Sequence, residues 1–380
     1  LSTLPQSLQA EAFETAATHL QASLNLSSGL LLRVALLDFG LHQPKRLLLV
    51  IHHLAVDVGS WRILLDDLET AYQQLSQGKV IKLPAKTTSF KQWSERLIKY
   101  AQSTELQWEE VYWLSAARES VSPLPRDYLE GVNTVASADT VSVTLSSKVT
   151  QALREEVTAA YRVQMEEVLL TALVQATAKW TGRLTLLVDL EGNGREVIFD
   201  DIDVTRTVGW FTNIAPVLLE ITEAPETGEA LKVVKEQLRS FPNQGLGYGV
   251  LRYLSTDAVI AEKMRSLQPV EVLFLYLGSI EQTLPESALW NLSPQSSGHP
   301  RSRHGKRSHL LEINSLIVQN QLRIDLTYSK NIHQRETVEQ LAEDFVAALQ
   351  SIITDYKPSS TAEVGKCVTR TQRSVSMLRF

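Results

Sequence analysis

Short apolar runs of strand character alternate with longer amphipathic stretches of helical spacing along most of this chain, and that alternation constrains its fold more than any other feature. The order is that of an α/β protein, in which helices cover a sheet. Glu11 to Leu24 has helical spacing. The runs Leu30 to Phe39 and Arg46 to His53, around Gly40-Leu41-His42-Gln43-Pro44, read as an antiparallel hairpin. Trp61 to Leu75 then places Ile63, Leu64, Leu68, Ala71 and Tyr72 on one helical face. A Lys-, Pro- and Thr-rich loop, Gly78 to Ser89, precedes helices expected over Phe90–Gln102 and Glu105–Arg118.

Ser120 to Asp139 reads as a linker, which divides the chain into an N-terminal lobe, 1–139, a C-terminal lobe, 140–356, and a tail, 357–380, without clear period. The second lobe is expected to run as strand Thr140–Leu145, a Ser-capped helix Lys148–Arg162, helix Glu166–Trp180 and strand Leu184–Leu190. There follow a strand near Ile214–Ile221, helix Thr227–Ser240, a Gly-rich segment Asn243–Gly249 and a strand near Val270–Gly278. Gln282 to Arg307 reads as a long exposed loop, His309–Val318 and Gln321–Tyr328 as a hairpin about Gln319-Asn320, and Glu336–Ile353 as a closing helix.

Composition narrows the partners. A formal net charge of −6 with no dominant block of either sign argues against nucleic acid and an anionic membrane, so a neutral or tethered substrate fits better. The single Cys367 excludes an internal disulfide framework and agrees with a reducing compartment. No apolar run is long enough to span a bilayer, and the start lacks the order of a signal peptide, so the chain reads as soluble and cytoplasmic. Opening at Leu1 without methionine, it reads as an excised piece of a longer polypeptide.

Two segments stand out chemically. His52-His53-Leu54-Ala55-Val56-Asp57-Val58-Gly59-Ser60-Trp61 lies where a strand passes into a helix. If both histidines lie in the strand, they face opposite ways, so one lines a cleft while the other packs. Asp57 in the turn can fix the loop through backbone N–H groups or an arginine. A packed His pair beside a turn Asp competes with this reading, and zinc is discounted because no further His or Cys has metal-ligand spacing. The other segment is Glu191-Gly192-Asn193-Gly194-Arg195-Glu196, directly after a strand. Its glycines let the backbone turn sharply and bring the Glu191 carboxylate to a cavity rim. A turn with solvated charges is the alternative, and the glycine spacing does not fit a dinucleotide fingerprint.

Together these segments resemble the epimerization domains of non-ribosomal peptide synthetases, members of the condensation-domain superfamily. His52 to Leu64 is similar to the family's double-histidine run, Glu191 to Glu196 to its Glu-Gly-His-Gly-Arg-Glu, and Thr207-Val208-Gly209-Trp210-Phe211-Thr212 with Pro216 to its next signature. Gly245-Leu246-Gly247-Tyr248-Gly249 with Leu251-Arg252-Tyr253, and Phe274-Leu275-Tyr276-Leu277-Gly278, look like two more. Departures are Asn193 for His, Leu275 for Asn, Val58-Gly59 for the reverse order, a missing leading segment and an unlike tail.

The resemblance implies two chloramphenicol-acetyltransferase-like lobes forming a V-shaped pseudo-dimer around a central cleft, and L-to-D inversion at Cα of an aminoacyl or peptidyl thioester. The substrate would arrive on the phosphopantetheine arm of a peptidyl carrier domain, with neighbouring synthetase domains as further partners and no cofactor of the domain's own. Two acid/base groups on opposite sides of Cα suit that chemistry. By resemblance His53 and Glu191 are those groups and Tyr276 bonds the thioester oxygen. Asp57 orients the histidine loop and Arg195 pairs with a carboxylate. Asp67 matches an acidic position and is equally readable as a solvated helix residue. His52 is expected to be structural, and His299, His304, His309 and His333 surface residues. Arg301 to Arg307 reads as a solvated basic loop, with contact to an acidic carrier domain as the other reading. A peptide-bond-forming condensation domain and a non-catalytic carrier-docking domain are the alternatives. If Tyr276 faces the cleft, alternation turns Leu275 into the lobe's packing.

Overall fold

The protein was analysed as a computed structural model that describes residues 1–115, 121–195, 197–223, 226–279, 291, 293 and 295–356. Helix α1 (Gln6–Ala22) buries Phe13 and Ala17 and leads into the antiparallel pair β1 (Leu32–Leu37) and β2 (Arg46–Ile51). Strand β2 ends at Ile51, so the two histidines lie beyond it, not within it as the apolar run suggested. The reason is local capping. The His52 Nδ1 accepts the Leu54 N–H at 3.1 Å and closes a single tight turn, His53–Ala55. Asp57 then caps α2 (Val58–Ser76) by accepting the Ser60 N–H at 2.7 Å, which starts that helix three residues before its apolar stripe.

Helices α3 (Phe90–Tyr100) and α4 (Thr104–Trp113) begin at Ser89 and Ser103, each of whose hydroxyls accepts a first-turn N–H. Helix α4 ends at Trp113, where the Leu114 N–H closes on the Glu110 carbonyl, short of the expected Arg118. Residues 116–118 lie outside those described, as do the tail, 357–380, and much of the loop 282–307. Strand β3 (Ala138–Thr144) is followed by α5, which runs from Ser147–Gln151 through a π-wound Ala152–Val157 to Thr158–Tyr161. Next come α6 (Met165–Thr181), β4 (Thr185–Gly192), β5 (Asn213–Glu220) and α7 (Thr227–Arg239).

The glycine-rich segment, read only by its composition, takes a definite form. Leu246–Leu254 is a helix, α8, because Leu246, Val250 and Leu251 share one buried face and that burial outweighs the low helix propensity of two glycines. Helix α9 (Ala258–Ser266) was not anticipated, although Asp257, accepting the N–H groups of Val259 and Ile260, is a recognisable cap. Strands β6 (Val272–Ser279), β7 (Leu311–Val318) and β8 (Gln321–Ser329) precede the closing helix α10 (Arg335–Tyr356). Gln319 and Asn320 both have positive φ, 50° and 60°, as the two-residue turn joining β7 and β8 requires.

The second half forms one mixed sheet in the order β3-β8-β7-β6-β4-β5. One face is apolar: Val188, Val217, Phe274, Ile313, Ile324 and Leu326 are fully buried in a core shared with α5, α6 and α10. The opposite face carries Asp189, Glu191, Glu312, Asn314 and Asp325, since those residues alternate with the buried ones. A separate apolar cluster joins Trp93 and Tyr100 of α3 and Leu106 and Trp113 of α4 to Phe199, Val204 and Phe211, to Leu246, Val250 and Leu251 of α8, and to Met264 of α9. Helices preceding the linker thus share a core with segments following β4. Glu109 is buried in that cluster, accepting from Asn243 Nδ2 at 2.7 Å, Trp113 Nε1 at 3.0 Å and the Tyr100 hydroxyl at 3.2 Å.

Three residues expected at the surface are buried. His333 packs edge-on to Trp180 with Nε2 3.0 Å from the Pro125 carbonyl, and burial pushes its pKa down. His309 is held inside by Asp189, a partner on a strand distant in sequence, and Arg307 by Glu312 of β7 just after it. His299 and His304 are exposed as expected.

Candidate active site

A carboxylate at a helix N-terminus accepts the free N–H groups of the first turn, and a guanidinium can hold the same carboxylate in a two-pronged grip. Asp57 does both. Beyond capping α2, its Oδ2 accepts the Phe211 N–H at 3.1 Å, while Arg195 Nη2 reaches Oδ1 at 2.8 Å and Oδ2 at 3.1 Å. Arg195 also donates to the carbonyls of Val204 (2.8 Å) and Thr207 (2.9 Å) and to the Ser60 hydroxyl (3.0 Å), and its guanidinium lies 4.2 Å from the centre of the Phe211 ring. The pair is shielded, with Asp57 only 3% exposed. Of the two means expected for Asp57 to hold its loop, backbone N–H groups or an arginine, the structure shows both.

Two glycines make the approach possible. A Cβ on Gly59 would lie 2.8 Å from Arg195 Nε, and one on Gly194, at φ 66°, would lie 1.8 Å from the Phe211 carbonyl. Asn193, in the place of the family's histidine, accepts the Arg195 N–H at 2.7 Å and shapes the turn that presents the guanidinium. Ser60, fully buried, donates to the Gly209 carbonyl at 2.9 Å and lies 3.0 Å from the Gly209 N–H. Thr207 Oγ1 donates to the Thr88 carbonyl. The double-histidine segment, the Glu191 segment and the Thr207 segment are therefore tied into one knot.

His53 is exposed and sets its ring edge-on to Trp210, 5.3 Å between centres. Trp210 stands four residues before Ile214, the cross-strand partner of Glu191. Glu191 is half-buried on the polar face of the sheet. Burial pushes its pKa up and Glu312 adds to the rise, while Arg301 and His309 offset it. Such a carboxyl is poised to give as well as to take a proton. Asp67 pairs with Arg206 at 2.5 Å, so it ties α2 to the Thr207 segment instead of standing free in solvent.

Tyr276 is not brought to this site. It shares a face with Phe274 and packs on the core beneath the sheet, near Arg154 and Glu166, and burial raises the pKa of its hydroxyl. The thioester-bonding role expected for it is thus corrected: Leu275, not Tyr276, shares the face of Glu191, because Leu273 pairs with Asp189 and strands alternate.

Sequence reasoning missed the surroundings of Glu191. His309 Nε2 lies 2.8 Å from Asp189 Oδ2, and Arg307 pairs with Glu312 at 3.2 Å. Asp189, two residues before Glu191 on one strand, was recognisable as a same-face neighbour, whereas nothing local marks His309. Among the described residues no group of three or more His, Cys, Asp or Glu is placed to hold a metal ion, and no helix is long and apolar enough to cross a membrane.

Residues 2–368 match the family model described as Condensation domain. The chain is 44% identical over 363 residues to a linear gramicidin synthase polypeptide of Brevibacillus parabrevis, covering 95% of this chain and 5% of that protein. It thus spans about one twentieth of that relative's length. A solved epimerization domain, from the third module of tyrocidine synthetase B, superposes with a TM-score of 0.84 at 34% identity, over 92% of this chain and 77% of the other. The first condensation domain of the calcium-dependent antibiotic synthetase superposes with a TM-score of 0.64 at 16% identity, over 92% and 76%, and shares the fold.

Proposed function

The chain belongs to the condensation-domain family, and from that premise we propose that it inverts the Cα of an aminoacyl or peptidyl thioester, L to D, in non-ribosomal peptide synthesis. The substrate is carried on the phosphopantetheine arm of a peptidyl carrier domain, in a cytoplasmic synthetase whose neighbouring domains are the other partners. The observation that carries this reading is the shielded Asp57–Arg195 pair, which ties the loop bearing His53 to the loop that follows Glu191 on β4. Likeness to the tyrocidine epimerization domain at 34% identity supports it.

Inversion requires removal of the Cα proton, a transient enolate, and return of a proton from the other face. In this mechanism His53 serves one face and Glu191 the other. Burial keeps Glu191 from ionising as readily as a surface carboxyl, so it can act as acid in one direction and base in the reverse. Asp57 and Arg195 are positioning residues: a misplacement of about 1 Å between the two groups costs on the order of a hundredfold in rate. Leu275 offers the enolate no hydrogen bond.

The test is Cα chemistry on a loaded carrier. With L-aminoacyl carrier in deuterated water, the chain exchanges the Cα hydrogen and yields both enantiomers. Amide formation without exchange would make it a peptide-bond-forming condensation domain instead. Carrier binding with exchange no faster than the carrier alone would make it a non-catalytic docking domain.

A further inference from the structure

The polar face around Glu191 holds a buried group that the mechanism above leaves unused. His309 is 7% exposed and its ring is partnered on both sides: Nε2 lies 2.8 Å from Asp189 Oδ2 and Nδ1 lies 3.0 Å from the Ser308 hydroxyl. Both partners carry oxygen lone pairs, so the ring can hold a proton on each nitrogen with neither N–H left unsatisfied. Its backbone is pinned as well, since Asn133 Nδ2 donates to the His309 carbonyl at 2.7 Å.

Asp189 and Glu191 are two residues apart on β4 and therefore on one face, which sets the imidazole next to the proposed acid/base carboxyl. The groups facing Glu191 can be named by element. β4 gives Asp189, the loop before β7 gives Arg301, Arg307 and His309, and β7 gives Glu312. β5 and β6 offer Ile214 and Leu275, which do not titrate, and α8 brings the Tyr248 hydroxyl, its pKa raised by burial, within reach of Asp189. Arg307 is engaged by Glu312, and Arg301, largely exposed, reaches the same Glu312 at 4.0 Å. His309 is the buried imidazole on this face, and it is held against Asp189 beside Glu191.

Resting on the reading of Glu191 as one of the two acid/base groups, we propose that His309, held by Asp189, is a positioning residue for that carboxyl, supplying the countercharge on its loop side. The imidazolium favours the Glu191 carboxylate, and its loss lets the carboxyl hold its proton. The direction agrees with the lowering influence His309 exerts on Glu191, which acts in the same sense as that of Arg301 and is smaller than it. A purely structural His309 would only anchor the loop to β4.

His309→Gln separates the two, because a glutamine amide can keep the hydrogen bond to Asp189 and cannot become charged, while His309→Lys keeps a charge without the ring. The readout is the titration of the Glu191 carboxyl carbon in chain labelled with 13C-glutamate, assigned by its loss in Glu191→Gln. His309→Gln moves the Glu191 midpoint up, and His309→Lys does not. On loaded carrier, the Glu191 limb of the kcat profile moves up with it while KM holds. A Glu191 midpoint unchanged in folded His309→Gln, or a uniform loss of rate at every pH, would each overturn the proposal. If the unsubstituted chain exchanges no Cα hydrogen, the epimerase reading falls while the carbon titration still decides the coupling.

Discussion

The strand pair β1–β2 and the six-stranded sheet are built from equally apolar runs, yet they end in opposite environments. In the large sheet, apolar residues of one face vanish beneath α5, α6 and α10, and the alternate residues form a polar face bearing Glu191. In the small ribbon, Leu32, Val34 and Leu36 are between 50% and 66% exposed, and Leu47 of β2 is exposed with them. Two strands bury little by themselves. His53 therefore follows a ribbon with little core of its own, whereas Glu191 stands on a packed platform. Cross-chain ties, above all Asp57–Arg195, must do for His53 what the core does for Glu191.

The largest effect is expected where that comparison is easiest to break. Arg195→Ala leaves the buried Asp57 without its partner, which costs about 3–5 kcal/mol, and frees the His53 loop, lowering Cα exchange by on the order of a hundredfold. Replacing both partners, Asp57→Asn with Arg195→Met, recovers part of the melting temperature but not the exchange rate. Full activity in Arg195→Ala would mean that the ribbon positions His53 unaided.

Stability should separate the regions nearly as sharply. Phe274→Ala, in the core beneath the large sheet, is expected to cost about 3–5 kcal/mol, while Val34→Ala on the exposed ribbon costs no more than about 0.5 kcal/mol. Urea denaturation of each variant measures both. A large loss at Val34 would show that its face is covered in solution.

The polar face itself is tested at Leu275. Leu275→Asn places an amide donor on the Glu191 face and is expected to raise Cα exchange by up to about a hundred- to a thousandfold, the usual worth of one such donor. If Leu275→Asn leaves exchange unchanged while Tyr276→Phe abolishes it, the assignment of faces on β6 is wrong.

The smallest effect is one of pH. Burial raises the pKa of Glu191, so the native chain holds that proton more tightly than the unfolded chain does. Stability is therefore lost as pH rises from the ordinary carboxylate range through the Glu191 value. Glu191→Gln should accordingly melt higher than the unsubstituted chain near neutral pH, and the difference should disappear below about pH 4, where both states are protonated. Thermal melts across that range decide it.

Most elements were legible because their signals are local. The Gln319-Asn320 turn, the serine caps of α3 and α4 and the apolar period of α6 each sit within a few residues of the structure they specify. Where local signals competed, the reading slipped. Apolar content carried β2 past its end into His52 and His53, and glycine content hid α8, because what ends the one and forms the other is a cap and a buried face.

The site divides along the same line. Its chemical types were readable from the residue order, a histidine loop with a capping Asp57 and a strand-end Glu191 followed by Arg195, since each segment carries its own turn chemistry. It took the folded chain to establish that Arg195 grips Asp57, that Leu275 and not Tyr276 shares the face of Glu191, and that His309 is buried against Asp189. Each of these is a pairing between residues far apart along the chain. Which charge meets which, and which face of a strand turns toward it, is set by sheet register and by the desolvation of whatever the packing encloses.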